Sequence, residues 1–295
     1  MSRRPARRRG RPPTGGGQQG SPADAAPDGP SAAGSPESRA TVSQPKASRA
    51  RIEIKNDAST EGDLLYGRNA VHEALRGQKR RVHRIWATER TLREPWLAGG
   101  GSPVVPECAS PAAIERRCGS TGHQGVCAQA DPYPYTDPEG LLAGRDPFLV
   151  VLDEVQDVQN LGAICRTAEC AGATGVVIPE RRSAVVTPAV CKASAGAVEH
   201  LAVARIRNIA DFLEAAKAKG IWCYGAASSG AVAWTQPDYS GGVALVLGAE
   251  GTGLRPRVAA ACDQLIALPL RGRIDSLNVS AAAAVLVYEI VRARA

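Results

Sequence analysis

The second half of this 295-residue chain predicts an α/β fold built on a parallel sheet, and three observations carry that prediction. Stretches at 148–152, 175–178, 201–206, 221–226, 243–247 and 265–268 are, Arg205 apart, apolar throughout rather than alternating, as strands covered on both faces are. Segments with helical spacing at 161–171, 188–199 and 209–219 separate the earlier strands, which gives the βα alternation of a parallel sheet. The last two strands each run into a glycine-bearing or polar loop and then into an alanine-rich helical pattern. Such strand–loop–helix corners are where open α/β sheets hold small ligands, because backbone amides at a helix start point into the crevice.

From the N-terminus, residues 1–60 hold no aromatic side chain and are dense in Pro, Gly, Ser, Ala and Arg. Such a segment cannot bury enough apolar surface to offset its ordering entropy, so a disordered tail is expected. Residues 1–50 carry nine Lys or Arg against three Asp or Glu, and so hold +6 of the net +7. Attraction to a polyanion through net charge therefore belongs to the tail, which reads either as an RNA-tethering arm or as a solubilising one. Residues 61–131 form a small α/β unit, with a helix at 66–75, strands at 82–87, 103–105 and 125–128, and helical material at 112–117. A Pro-rich stretch, D-P-Y-P-Y-T-D-P-E-G from Asp131, opens a linker over 132–146, and 147–295 is the main domain.

Composition excludes several classes. Aromatics make up only 4% of the chain, so the core is expected from Val, Leu, Ile and Ala. Eight cysteines form no C-x-x-C pair and the four histidines show no zinc-like spacing. His72-Glu73-Ala74-Leu75-Arg76 begins like H-E-x-x-H but lacks the second histidine, so no metal site is expected. No apolar run approaches the ~20 residues of a membrane span, and the N-terminus shows no secretory h-region. Scattered apolar cysteines and these absences read as a cytoplasmic protein without membrane contact.

Three polar motifs sit in the loops of the main domain. The loop after the first strand reads D-E-V-Q-D-V-Q-N-L-G-A-I-C-R (153–166), where Asn160 takes an N-cap position. Arg166 lies about 140° round the helical wheel from Leu161 and faces away from the apolar stripe, as a solvent-facing arginine or a ligand of phosphate or substrate. G-A-E-G-T-G-L (248–254) is neither the dinucleotide fingerprint nor a P-loop; alone it is a glycine-rich turn carrying Glu250. S-L-N-V-S (276–280) offers Ser276 or Asn278 as a helix cap, a role compatible with ligand contact at the helix mouth.

In combination, N-L-G-x-x-x-R, L-G-x-E-G-x-G-L and P-L-x-G-x-x-x-S-L-N-V-S resemble the three signature motifs of the SpoU–TrmH (SPOUT) family of RNA ribose 2′-O-methyltransferases. The likeness covers 148–292. Y-G-x-N-A-V-x-E-A-L from Tyr66 and the turn His123-Gln124-Gly125 are similar to the small ribosomal-protein-like RNA-binding domain of the subgroup that methylates a 23S rRNA guanosine. Only the loop at 155–159 departs from commoner versions. The resemblance implies a C-terminal trefoil knot, S-adenosyl-L-methionine bound in it and a homodimer packed through it. It implies cofactor contacts at Gly248, Leu268 and Leu277, and catalytic or structural polar roles for Asn160, Arg166, Glu250, Ser276 and Asn278. A guanidinium does not readily give up its proton, so Arg166 reads as a cation holding the target phosphate and the developing alkoxide rather than as the general base usually proposed. RNA recognition is expected from the small domain through Arg76, Lys79, Arg80, Arg81 and Arg84, a run that reads equally as a solvated loop. The competing readings are a tRNA ribose methyltransferase of the same family, a non-catalytic RNA-binding ribosome-assembly factor, and a dinucleotide oxidoreductase, which the missing fingerprint disfavours.

Overall fold

A computed structural model describes residues 62–99, 104–227 and 231–295. The tail at 1–60 and the first residue of the predicted strand 103–105 lie outside the described residues. The small N-terminal part runs β1 (Asp63–Tyr66), α1 (Arg68–Gly77), β2 (Val82–Ala87), α2 (Glu89–Leu92), α3 (Pro95–Ala98), β3 (Glu107–Cys108), α4 (Pro111–Cys118) and β4 (Val126–Ala130). Its sheet has the order β1-β4-β2-β3, with β4 antiparallel to both neighbours and β3 parallel to β2. Among the described residues the pairing of β3 begins at Glu107, later than the predicted 103–105. α4 starts where Ser110 accepts from the Ala113 amide and Pro111 supplies a preset φ at the first helical position.

The larger part continues with α5 (Pro138–Leu141), β5 (Phe148–Asp153), α6 (Val158–Cys170), β6 (Gly175–Pro179), α7 (Pro188–Ala193), β7 (Ala202–Ile206), α8 (Ile209–Ala218), β8 (Trp222–Ala226), β9 (Val232–Ala233), β10 (Val243–Gly248), α9 (Pro256–Ala261), β11 (Gln264–Ala267) and α10 (Val279–Arg294). The strands form one seven-stranded sheet in the order β7-β6-β5-β10-β8-β11-β9, with every pair parallel. Period-two alternation splits each central strand between two cores. Phe148, Val150 and Leu152 of β5 meet α6, α7 and α10 on one face, while Leu149 and Val151 meet α5, α8 and α9 on the other. Burial of each such side chain is worth about 1.5–3 kcal/mol. Cysteines take part as small apolar groups: burial pushes the thiols of Cys165 and Cys191 up to about 12.

The helix expected over 188–199 stops at Ala193. Ala195 and Gly196 take left-handed φ angles of 52° and 88°, and a short 3₁₀ turn follows at Ala197–Glu199. Packing gives the reason. A Cβ on Gly196 would stand 2.6 Å from the Glu73 Cβ and 2.9 Å from the Asn69 carbonyl, so α1 seats against this turn only because a glycine is there. The turn also delivers Glu199 to Arg80. The Arg80 guanidinium, 1% exposed, donates to Glu199 at 2.5 Å and to Asp63 at 2.6 Å. Burial works against that charge most strongly, but the bond to Glu199 together with the negative charges around it outweighs burial, and the Arg80 pKa lies above its ordinary value. Lys79 beside it donates to Tyr133 Oη and to the carbonyls of Val198 and Leu201.

The Pro-rich stretch after Asp131 is packed along the edge of the large sheet. Tyr133 is buried and its hydroxyl donates to Val198 and Leu201, and the Thr136 amide donates to the Val203 carbonyl. Among the described residues no helix is long and apolar enough to cross a membrane, and no cluster of His, Cys, Asp or Glu could hold a metal ion.

Candidate active site

Three chain segments converge at the C-terminal ends of β10, β8 and β11. They enclose a cavity of about 430 Å³, within the range of small-molecule sites. One wall is the loop 249–254, a second is the segment 268–277, and a third is the end of β8 at Ala226 and Ala227, with Val279, Ala282 and Leu286 of α10 behind them. Gly248, Leu268 and Leu277 all line it, as do Glu250 and Ser276. The lining combines apolar side chains with backbone amides and carbonyls, which suits a ligand having a flat apolar body and a few hydrogen-bonding edges. Gly248 is required by close approach: a Cβ there would lie 2.1 Å from the Gly253 carbonyl carbon. The loop can therefore fold back onto its own strand only over a bare backbone.

A second group of polar residues ties the walls together. Asp157 caps α6 by accepting from the Gln159 amide at 2.7 Å, which places Asn160 inside the first turn, buried, and not at the cap that the sequence suggested. Asn278 caps α10, its Oδ1 accepting from the Ser280 and Ala281 amides. Asn160 Nδ2 donates to Glu250 Oε1 at 2.8 Å, Asn278 Nδ2 donates to the same oxygen at 2.6 Å, and Asn278 Nδ2 lies 3.0 Å from Asn160 Oδ1. Glu250 thus joins residues 90 and 28 positions away, and locks the starts of α6 and α10 to the cavity wall. Neither asparagine lines the cavity itself.

Arg166 stands apart from this group. It lies on the exposed face of α6, outside the cavity lining, and makes no hydrogen bond or ion pair among the described residues. A cation with no hydrogen bond or ion pair among the described residues is available to an anionic ligand. Of the five basic residues expected to meet RNA, Arg80 is a correction, because its guanidinium is consumed inside the protein by Glu199 and Asp63. Lys79 is half-buried and bonded internally. Arg76 pairs with Glu73 and Arg84 with Glu107, both at the surface, and Arg81 is exposed.

Two residues escaped the sequence reading. Asp153, fully buried at the end of β5, accepts from the amide and Nε of Arg255, which follows the 249–254 loop. Their only sequence signals were an acid ending an apolar strand and an arginine directly before the proline that opens α9.

Comparison with known proteins matches residues 147–288 to the SpoU rRNA Methylase family and residues 64–136 to the domain described as RNA 2'-O ribose methyltransferase substrate binding. YacO of Bacillus subtilis, named for the TrmH family of tRNA/rRNA methyltransferases, is 39% identical over 250 residues, 80% of this chain and 98% of its own. The 23S rRNA (guanosine-2'-O-)-methyltransferase RlmB of Pseudomonas putida is 36% identical over 240 residues, 79% of this chain and 97% of its own. Among solved structures, the AdoMet bound rRNA methyltransferase from Sinorhizobium meliloti matches with a TM-score of 0.67 and 26% identity over 79% of this chain and 88% of that one.

Proposed function

We propose a function from one premise: this chain belongs to the SpoU rRNA methylase family. It is an RNA ribose 2′-O-methyltransferase that uses S-adenosylmethionine. Its target in this reading is a guanosine of 23S rRNA, supported by the likeness to RlmB and by a substrate-binding domain in the same position. The observation that carries the reading is the Asn160–Glu250–Asn278 group, which fixes two helix starts around a small-molecule cavity.

The cavity fits the cofactor. Its volume, the apolar walls at Leu268, Leu277 and Leu286 and the bare backbone around Gly248 suit an adenosine with a short charged arm. When bound, S-adenosylmethionine supplies a methyl group already activated on a sulfonium. The work left to the protein is to place the ribose hydroxyl and to stabilise negative charge as its proton leaves. Arg166, unpaired among the described residues, is the cation suited to both. Its fork of donors matches a phosphate oxygen and a developing alkoxide together, and the proton passes to another acceptor. Glu250, Asn160 and Asn278 spend their polar atoms on each other and act by holding the walls. Ser276, on the lining, is placed to contact ligand.

A homodimer belongs to the same reading. Leu270, Ile274 and Leu277 on the segment beside the cavity and Val285 and Tyr288 on α10 are 39–74% exposed, large apolar side chains that a second copy would cover. The trefoil knot is included too, supported by the strand order β5-β10-β8-β11 and by α10 folding back onto α6. Light scattering is expected to return twice the chain mass.

Radiolabelled S-adenosylmethionine offered with 23S rRNA fragments or with tRNA transcripts tests the substrate. Incorporation into an rRNA fragment at one 2′-hydroxyl is expected. Incorporation into tRNA alone would replace the proposed target, and RNA binding without any transfer would favour an assembly factor. Gly248→Ala is expected to weaken cofactor binding at least about tenfold, or about 1.4 kcal/mol, by pushing residues 249–254 off their strand. Calorimetry on the folded variant checks this.

A further inference from the structure

The wall formed by 249–254 is intrinsically loose. Gly251 and Gly253 both take left-handed φ angles, and residues 250–253 are exposed. One residue, Asp153, closes it at both ends, by its backbone at the first and its carboxylate at the second. Gly248, just before the loop, pairs with Asp153 in the parallel ladder. Arg255, just after it, donates its amide to Asp153 Oδ2 at 2.9 Å and its Nε to Oδ1 at 2.7 Å, with Nη2 also 2.7 Å from Oδ1. The Asp153 carboxylate is fully buried, whereas the Arg255 side chain is 43% exposed. Glu154, at φ 62°, adds a weaker hold on Arg255 Nη1 at 3.3 Å. Within the loop, the Gly253 amide donates to the Ala249 carbonyl at 2.9 Å. Glu250, which accepts from Asn160 and Asn278, lies within the loop so closed. Neither Asp153 nor Arg255 lines the cavity.

We propose that Arg255, gripped by Asp153, is a positioning residue that sets the affinity for S-adenosylmethionine by holding the 249–254 loop in its ligand-ready shape, without touching cofactor or RNA. The proposal rests on the reading of the cavity as the cofactor site. A loop pre-held in its bound shape spares the ligand the ordering cost, so the effect falls on cofactor binding rather than on chemistry at saturation.

The test uses the full chain with Arg255→Met, Arg255→Lys and the double variant Asp153→Asn/Arg255→Met. Cofactor Kd is measured by calorimetry, together with KM for each substrate, kcat and Tm. Arg255→Met is expected to raise Kd and KM for S-adenosylmethionine about tenfold, with kcat and the RNA KM within about twofold. Arg255→Lys recovers part of the loss through a single donor. Arg255→Met also leaves the Asp153 charge buried and unpaired, so its Tm falls; the double variant removes that charge and is expected to regain Tm while keeping the raised cofactor KM. If cofactor affinity returns together with Tm, or never changes, Arg255 is structural only and the proposal is overturned. Wild-type protein that binds no S-adenosylmethionine would overturn the reading of the cavity itself, and the proposal with it.

Discussion

Arg166→Ala is expected to lower methyl transfer by about 10²–10³-fold, while S-adenosylmethionine binding changes by less than about twofold. The size follows from the role proposed for Arg166, since removing one charge-stabilising group from a site where charge develops costs about 2.7–4 kcal/mol. The selectivity follows from geometry. Arg166 is exposed on α6, makes no hydrogen bond or ion pair among the described residues and lies outside the cavity lining. Its removal therefore leaves no buried group unpaired and takes nothing from the walls of the cavity. Arg166→Lys keeps the charge but replaces a planar fork with a point donor, and is expected to recover only part of the rate. Single-turnover reactions at saturating labelled cofactor separate transfer from binding. Transfer by Arg166→Ala within a few-fold of wild type would remove this arginine from the chemistry.

How far the sequence reveals this site depends on the range of each interaction. β5 and β10 are legible because their side chains are apolar on both faces, a signal contained within six residues. The exposure of Arg166 is legible for a similar reason, since helical periodicity is local. The start of α6 is harder. Asp157 and Asn160 are both good caps, and the sequence does not rank them; in the fold Asp157 wins, which frees the Asn160 side chain for Glu250. The clamp of Asp153 on Arg255 spans 102 positions and the pairing of Arg80 with Glu199 spans 119. Nothing local marks either pairing, so Lys79, Arg80 and Arg81 look like one basic surface run when only Arg81 faces solvent freely. The break at Ala195 and Gly196 is equally non-local, because its cause is α1, more than a hundred residues earlier.

Glu199→Ala is expected to destabilise the protein by about 3–5 kcal/mol, the usual cost of leaving one charge of a buried pair uncompensated. For a folded region of this size that is a fall in Tm on the order of 10 °C, read by calorimetric scanning. Among the described residues Arg80 would retain Asp63, which is 27% exposed, the Asp131 carbonyl, the Cys191 sulfur and the face of Tyr133. Exposed pairs such as Arg257 with Asp211 supply the contrast, since Arg257→Ala should cost no more than about 1 kcal/mol. Replacing both members of the buried pair, as Arg80→Met with Glu199→Leu, removes the stranded charge and is expected to regain at least half of the lost stability. The same double variant decides the role of Arg80 toward RNA. An arginine spent inside the protein contributes no phosphate contact, so RNA affinity and its salt dependence should match wild type. An arginine that bound phosphate would instead lower affinity and reduce the slope of log K against log salt by about 1 when removed. Arg76→Glu with Arg81→Glu, which changes residues still at the surface, is expected to weaken RNA binding and leave Tm nearly unchanged.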